Sequence, residues 1–246
     1  MTPWLQCTTA RPDAAQRLVC FPHAGGVPAF YSRWADGLPA TEIHAVRYPG
    51  RAERTGEPCA TDLHETAREI AEALRLVADR PLALFGHSMG AWIAFETARL
   101  LEADGITVSH LFASAAPAPQ TRTAPDPDVP LDDDELTATL IGLGGTPAEL
   151  LAEPVLLKLV FPYVNADFRM AGRYVYRPGP PLACPVTTLV GADDPVAGPH
   201  ATEAWSRQTR GPYRGHTVKG DHFYLAEKPP FDLIQDLLAG WPEGRR

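Results

Sequence analysis

One of the chain's five serines, Ser88, stands between two glycines in Gly86-His87-Ser88-Met89-Gly90, where the apolar run Leu82–Phe85 gives way to a helical pattern. Chance placement in a chain with 20 glycines gives about 0.03 such Gly-x-Ser-x-Gly patterns, so the arrangement is not a product of composition. At a strand-to-helix junction the pattern describes a nucleophile elbow. The turn is so tight that side chains two before and two after the serine would strike neighbouring backbone, and glycine removes that collision. The strain presents the Ser88 hydroxyl at the top of a sheet. The helix that begins there turns its free N–H groups and positive dipole end to the same spot. The chemistry this predicts is nucleophilic acyl transfer.

A serine hydroxyl is a weak nucleophile and needs a base, itself oriented by an acid. In this architecture the chain order is Ser, then Asp or Glu, then His. His216 falls inside the strand pattern Arg214–Val218, and His200 lies only six residues past Asp194, in or beside a helix. His222, in Gly220-Asp221-His222-Phe223, follows a strand in a loop at its carboxyl end, where such folds display catalytic groups. It is the predicted base. The acid belongs just after the strand Val186–Val190, in Gly191-Ala192-Asp193-Asp194-Pro195, and physics alone barely separates Asp193 from Asp194. Asp221 adjoins the histidine and is poorly placed to turn back on its ring. The glycine-rich loop Pro22-His23-Ala24-Gly25-Gly26 follows an early strand, where one oxyanion-hole N–H is expected to originate. The predicted donors are the backbone N–H groups of Ala24 and Met89. His23 is read as a loop-organising residue.

These groups need a scaffold to hold them. Strand patterns at Leu18–Phe21, Ile43–Tyr48, Leu82–Phe85, Val108–Ala113, Val186–Val190 and Gly215–Val218 alternate with helical patterns at Phe30–Leu38, Thr61–Ala78, Ala91–Leu101, about His200–Gln208, and Asp232–Leu238. In Thr61–Ala78, Leu63, Ala67, Ile70, Ala71, Leu74 and Val77 share one face, with Asp62 or Thr61 as cap. The alternation predicts an α/β fold with a mostly parallel central sheet and helices on both faces. Residues 117–180 break the rhythm. The Pro/Asp-rich Pro117–Asp134 is followed by helix-like stretches near Leu136–Leu143 and Val155–Val164, with apolar patches near Leu140, Leu156, Phe161 and Phe168. This block is read as a lid inserted into a single domain spanning 1–246. Asp132-Asp133-Asp134-Glu135 is read as a solvated helix start rather than a metal site.

The quoted motifs together resemble the type II thioesterases, free-standing α/β-hydrolases that serve polyketide synthases and nonribosomal peptide synthetases. The resemblance rests on Phe21-Pro22-His23-Ala24-Gly25-Gly26, Arg47-Tyr48-Pro49-Gly50-Arg51, Phe85-Gly86-His87-Ser88-Met89-Gly90-Ala91 and Ala166-Asp167-Phe168, and runs from about residue 17 to 240. It implies an α/β-hydrolase fold. It also implies a substrate: an acyl or aminoacyl thioester on the phosphopantetheine arm of an acyl or peptidyl carrier domain, hydrolysed in an editing role. The family's Gly-x-x-Asp matches Gly191-Ala192-Asp193-Asp194, so the resemblance assigns the acid to Asp194. The chain departs from the family at Ser114-Ala115-Ala116-Pro117, where Ser-Gly-Arg often stands, and at Gly220-Asp221, where Gly-Gly often stands. A general esterase or a product-releasing thioesterase of the same fold is the alternative reading.

The bulk properties agree with that class. The chain has 246 residues, 45% hydrophobic and 21% charged, as in globular proteins. A net charge of −8 argues against general nucleic-acid binding. No apolar stretch reaches a membrane-spanning length of about 18 residues, and no signal peptide is visible. The scattered Cys7, Cys20, Cys59 and Cys184 fit no zinc spacing and are read as reduced thiols. The expectation is a cytoplasmic, free-standing monomer that needs no metal or redox cofactor. Because carrier domains are generally acidic, as the resemblance implies, docking would rest on local basic clusters. The candidates are Arg47, Arg51 and Arg54, and Arg169, Arg173 and Arg177, unless neighbours such as Glu53, Glu57 and Asp167 pair them.

Overall fold

Seven short segments become strands: β1 (Leu5–Thr9), β2 (Arg17–Phe21), β3 (Glu42–Val46), β4 (Leu82–His87), β5 (Val108–Ser114), β6 (Val186–Gly191) and β7 (Tyr213–Val218). The computed structural model describes residues 2–126, 129, 132–143 and 154–240. The strands form one sheet in the order β1-β3-β2-β4-β5-β6-β7. β1 runs antiparallel to β3, and every other pairing is parallel. β2 through β6 are buried along their whole length, as parallel strands covered on both faces must be.

Alternation along each strand divides the core into two layers. In β2, Val19 and Phe21 enter one layer and Leu18 and Cys20 the other. The helices are α1 (Trp34–Gly37), α2 (Leu63–Arg75), α3 (Met89–Ala103), α4 (Asp133–Leu143), α5 (Pro154–Arg173), α6 (Pro199–Glu203), α7 (Tyr224–Glu227) and α8 (Phe231–Ala239). α2 and α3 cover the first face, while α1, α7 and α8 cover the second. The α/β fold expected from the sequence is therefore the observed one. Asp62 caps α2 by accepting the Glu65 N–H at 2.8 Å, and the helix ends at Arg75, before Val77. The helix expected over Phe30–Leu38 is instead a 3₁₀ turn at Pro28–Tyr31 followed by the single turn α1. The one expected from His200 to Gln208 divides likewise, into α6 and a 3₁₀ turn at Ala204–Gln208.

The order of strands places the site. From β2 the chain passes to β3 on one side of the sheet, and from β4 it passes to β5 on the other. The connections leaving the carboxyl ends of β2 and β4 diverge, and the crevice between them is where open α/β sheets take their ligands. Between β5 and β6 lie α4 and α5, which share a small core of Leu136, Leu140, Phe161 and Val164, with Phe168 partly buried against it. The side chain of Leu156 lies outside the described residues, as do parts of the Pro/Asp-rich stretch before α4. Asp132 Oδ1 accepts from the Asp134 and Glu135 N–H groups, which makes the acidic run a capped helix start.

Candidate active site

Ser88 occupies the β4–α3 junction with φ 53° and ψ −123°, a conformation that side-chain-bearing residues rarely adopt. The geometry accounts for both glycines. A Cβ on Gly86 would collide with Gly90 O and the Ala91 Cα, and one on Gly90 with the carbonyl oxygens of Phe21 and Pro22. The elbow is also tied to the next strand, since the Ser88 N–H donates to Ser114 O at 2.8 Å. Met89 opens α3, so its N–H belongs to the first turn, which has no intrahelical acceptors.

At the ends of β6 and β7 the structure brings Asp194 and His222 together. His222 Nδ1 lies 2.9 Å from Asp194 Oδ2 and 3.1 Å from Oδ1, and both side chains are buried. Asp194 Oδ1 also accepts from the N–H groups of Val196 (2.8 Å) and Ala197 (3.1 Å). Burial alone would raise the carboxyl pKa, but the hydrogen bond and charge of His222 and these two N–H groups outweigh it, and the pKa falls below its ordinary value. Asp193 is exposed, and its N–H donates to Gly220 O. Asp221 accepts the Phe223 N–H and serves its own turn. The two loops meet backbone to backbone: a Cβ on Gly191 would collide with the carbonyl oxygens of Asp221 and Gly220. Of the other histidines weighed, His216 sits within β7 and His200 within α6.

The His23-to-Gly26 loop closes on itself through a Gly26 N–H to His23 O bond of 2.9 Å. The His23 ring packs edge-on against Phe30, His87 and Phe223. Burial, with the nearby His222 and Arg51, pushes its pKa down to about 3, so it stays neutral. That fits its reading as a loop-organising residue.

Several residues at the site escaped the sequence reading. His87 shares a 2.8 Å hydrogen bond with Ser114 Oγ, which shares one of 2.7 Å with the Tyr224 hydroxyl. This chain runs beneath His222, whose ring centroid is 5.4 Å from that of His87. His87 stands at the x position of Gly-x-Ser-x-Gly, and Ser114 directly precedes the Ala115-Ala116 departure from the family, but the sequence reading gives neither a role. Arg51 and Asp167 form a buried bidentate pair, at 2.5 and 2.6 Å, behind the His23-to-Gly26 loop. The sequence reading offers Arg51 as a docking candidate and Asp167 as an acid that could pair it, but gives neither a role beside the glycine-rich loop.

The thioesterase domain family matches residues 16–238 of the chain. The chain belongs to this family. It is 39% identical over 229 residues to thioesterase PikA5 of Streptomyces venezuelae, covering 92% of this chain and 81% of that protein. It is 34% identical to the medium-chain S-acyl fatty acid synthase thioesterase of Rattus norvegicus, covering 96% and 91%. Among solved structures, the type II thioesterase BorB from the borrelidin biosynthetic cluster superposes with a TM-score of 0.87 at 40% identity, covering 96% of both chains. The resemblance read from the motifs is thus to the right family, and the protein is a thioester hydrolase.

The first arginine cluster requires a correction. Arg51 is 2% exposed and held by Asp167, and Arg54 is 8% exposed, paired with Glu57 and bonded to Arg47 O. Arg47 donates to the Thr2 and Leu5 carbonyls. These guanidinium groups secure loops, and they do not form an open basic patch. Arg169, Arg173 and Arg177 are exposed. Cys7, Glu42 and His44 are the one group of potential metal ligands gathered among the described residues, and Glu42 is already engaged by Arg17 and the Arg11 N–H. Among the described residues no helix is long and apolar enough to cross a membrane.

Proposed function

We propose that this thioesterase hydrolyses acyl or aminoacyl groups from the phosphopantetheine arms of carrier domains, as an editing enzyme of polyketide or nonribosomal peptide biosynthesis. The observation that carries the chemistry is the buried Asp194–His222 pair at the strand ends that also present the strained Ser88. The carrier-bound substrate is supported by the similarity to the type II thioesterase BorB.

In this reading Asp194 and His222 complete a triad with Ser88. Asp194 holds Nδ1, which leaves Nε2 of His222 to take the serine proton. The Ser88 oxygen attacks the thioester carbonyl, and the N–H groups of Ala24 and Met89 receive the oxyanion. His222 returns the proton to the departing thiol, a good leaving group with a cysteine-like pKa of about 8.5. Water, deprotonated by His222, then hydrolyses the acyl-serine. Asp194 stabilises the imidazolium at each proton transfer. Residues 117–180, with α4 and α5, serve as the lid over the acyl group, within one domain.

The test is hydrolysis of a panel of acyl groups carried on holo-carrier protein, on free pantetheine and as oxygen esters. Release from carrier protein at the highest kcat/KM is expected. Turnover of oxygen esters with no turnover of either thioester series would overturn the proposal.

A further inference from the structure

The oxyanion loop is held from outside by two other parts of the chain. The Tyr48 hydroxyl donates to Pro22 O at 3.1 Å, and Arg51 Nη1 donates to Gly26 O at 3.2 Å. Asp167 Oδ2, from the middle of α5, accepts the Gly25 N–H at 2.8 Å. The same Oδ2 takes Arg51 Nη1 at 2.5 Å, while Oδ1 takes Nη2 at 2.6 Å. Gly25 itself has φ +77°, and a Cβ there would lie 2.9 Å from Val164 Cγ2, one helical turn before Asp167. The loop is therefore pressed against α5 by a residue without a side chain and fixed there by one hydrogen bond.

We infer that Asp167 is a positioning residue for the oxyanion hole, with Arg51 as the group that holds its carboxylate in place. The Ala24 and Gly25 N–H groups belong to consecutive peptide planes. Anchoring the Gly25 N–H on Asp167 fixes the rotation of the loop about its Cα atoms, and with it the direction of the Ala24 N–H toward the substrate oxygen. An oxyanion donor works only when preorganised to within a few tenths of an ångström. A carboxylate suits the task because three donors converge on it: Gly25 N, Arg51 Nη1 and Arg51 Nη2. The two rings beside Arg51, Tyr163 at 4.7 Å and Tyr48 at 5.3 Å from the guanidinium carbon, keep the fork from swinging.

Asp167→Asn leaves one oxygen for those three donors and turns an NH₂ toward either the loop or the fork. Its kcat is expected to fall 10- to 100-fold, part of the roughly 10²–10³ lost with an entire oxyanion donor, while KM stays within about threefold. The double variant Arg51→Met/Asp167→Leu separates positioning from mere stability, because an apolar pair of similar volume replaces a buried ion pair without leaving a lone charge. Its Tm should recover toward that of the wild type while kcat remains at the Asp167→Asn level. Recovery of kcat together with Tm would overturn the inference. If Asp167→Asn does not fold, the double variant is compared with Arg51→Lys, which keeps the Asp167–Gly25 bond and must lose less kcat than the double variant; an equal loss would also overturn it. The inference rests on the thioesterase reading only for its reaction class, so each variant is assayed on a pantetheine thioester and on a p-nitrophenyl ester. A wild type inactive on both refutes the function, whereas an active wild type with undiminished variants refutes the clamp alone.

Discussion

Acidification should unfold this protein through its histidines before its carboxylates. His87 is fully buried, and burial, with His222 and His23 beside it, holds its pKa well below the ordinary value. Burial and the charge of Arg214 push His110 down to about 4, and His23 lies at about 3. In the unfolded chain all three return to about 6.5. Below that pH the unfolded state binds protons that the folded state refuses, so stability falls as pH falls. At pH 5.5 each ring costs about 1.4 kcal/mol, and the three together about 4 kcal/mol, of a total stability that is typically 5–15 kcal/mol. Glu42, lowered to about 2 although burial opposes it, begins to lose its contribution only below its unfolded value of 4.5, so it adds nothing to the change between pH 7.0 and 5.5. Urea unfolding at pH 7.0 and 5.5 should show the drop as a lower midpoint at unchanged slope. His110→Gln keeps a polar partner for Thr187 Oγ1 and deletes one titrating ring. It should shrink the difference by about 1.2 kcal/mol. Stability that differs by less than about 1 kcal/mol between the two pH values, or a difference that His110→Gln leaves intact, would show that these rings are not held neutral.

Asp194→Asn should lower kcat on the order of 10⁴-fold by releasing the wrong tautomer of His222, while Asp193→Asn stays within threefold; the reverse order of losses would refute the assignment. Ser88→Ala should abolish labelling by a fluorophosphonate, and labelling that persists would place the nucleophile elsewhere. Gly90→Ala sets a Cβ against backbone oxygens that cannot retreat, and should cost on the order of 3 kcal/mol in thermal or urea unfolding. Asp62→Ala removes the α2 cap for about 1 kcal/mol with kcat unchanged, since the exposed Asp62 side chain serves the first turn of α2. If α4 and α5 form a lid, their amides should gain hydrogen-exchange protection on binding a non-hydrolysable acyl-pantetheine, and unchanged protection would count against it.

The strands of the sheet were legible because a parallel strand covered on both faces is a continuous apolar run, as in Leu82–Phe85 and Val108–Ala113. β1 was not, because Leu5-Gln6-Cys7-Thr8-Thr9 is a short edge strand whose mixed composition carries no such run. The helices lost definition where a few residues divide into 3₁₀ and α turns, as at Pro28–Gly37, a distinction of backbone geometry that side-chain periodicity does not encode. At the site, residues marked by local backbone strain were readable, since only glycine tolerates what surrounds Ser88. Asp193 and Asp194 could not be separated physically because they differ only in which way the turn after Gly191 points them. Arg51 and Asp167 are 116 positions apart, and their pairing exists only once α5 lies over the oxyanion loop.

In the proposed mechanism three clustered histidines serve one reaction with one base. His23, His87 and His222 form a continuous cluster of edge-on and tilted ring contacts with Phe223. Desolvation acts against charge on His23 and His87. Only His222 has a carboxylate on Nδ1, and that carboxylate is fixed by two further N–H donors, so only there is an imidazolium compensated when it forms. His87 instead shares its Nδ1 hydrogen bond with the Ser114 hydroxyl, and His23 is enclosed by aromatic edges, so neither has an anion to balance a proton. Kept neutral, they add no positive charge beside His222 when, in the proposed mechanism, it takes the serine proton. Replacing either with a permanent cation would therefore harm catalysis by repulsion at His222, even where the fold survived.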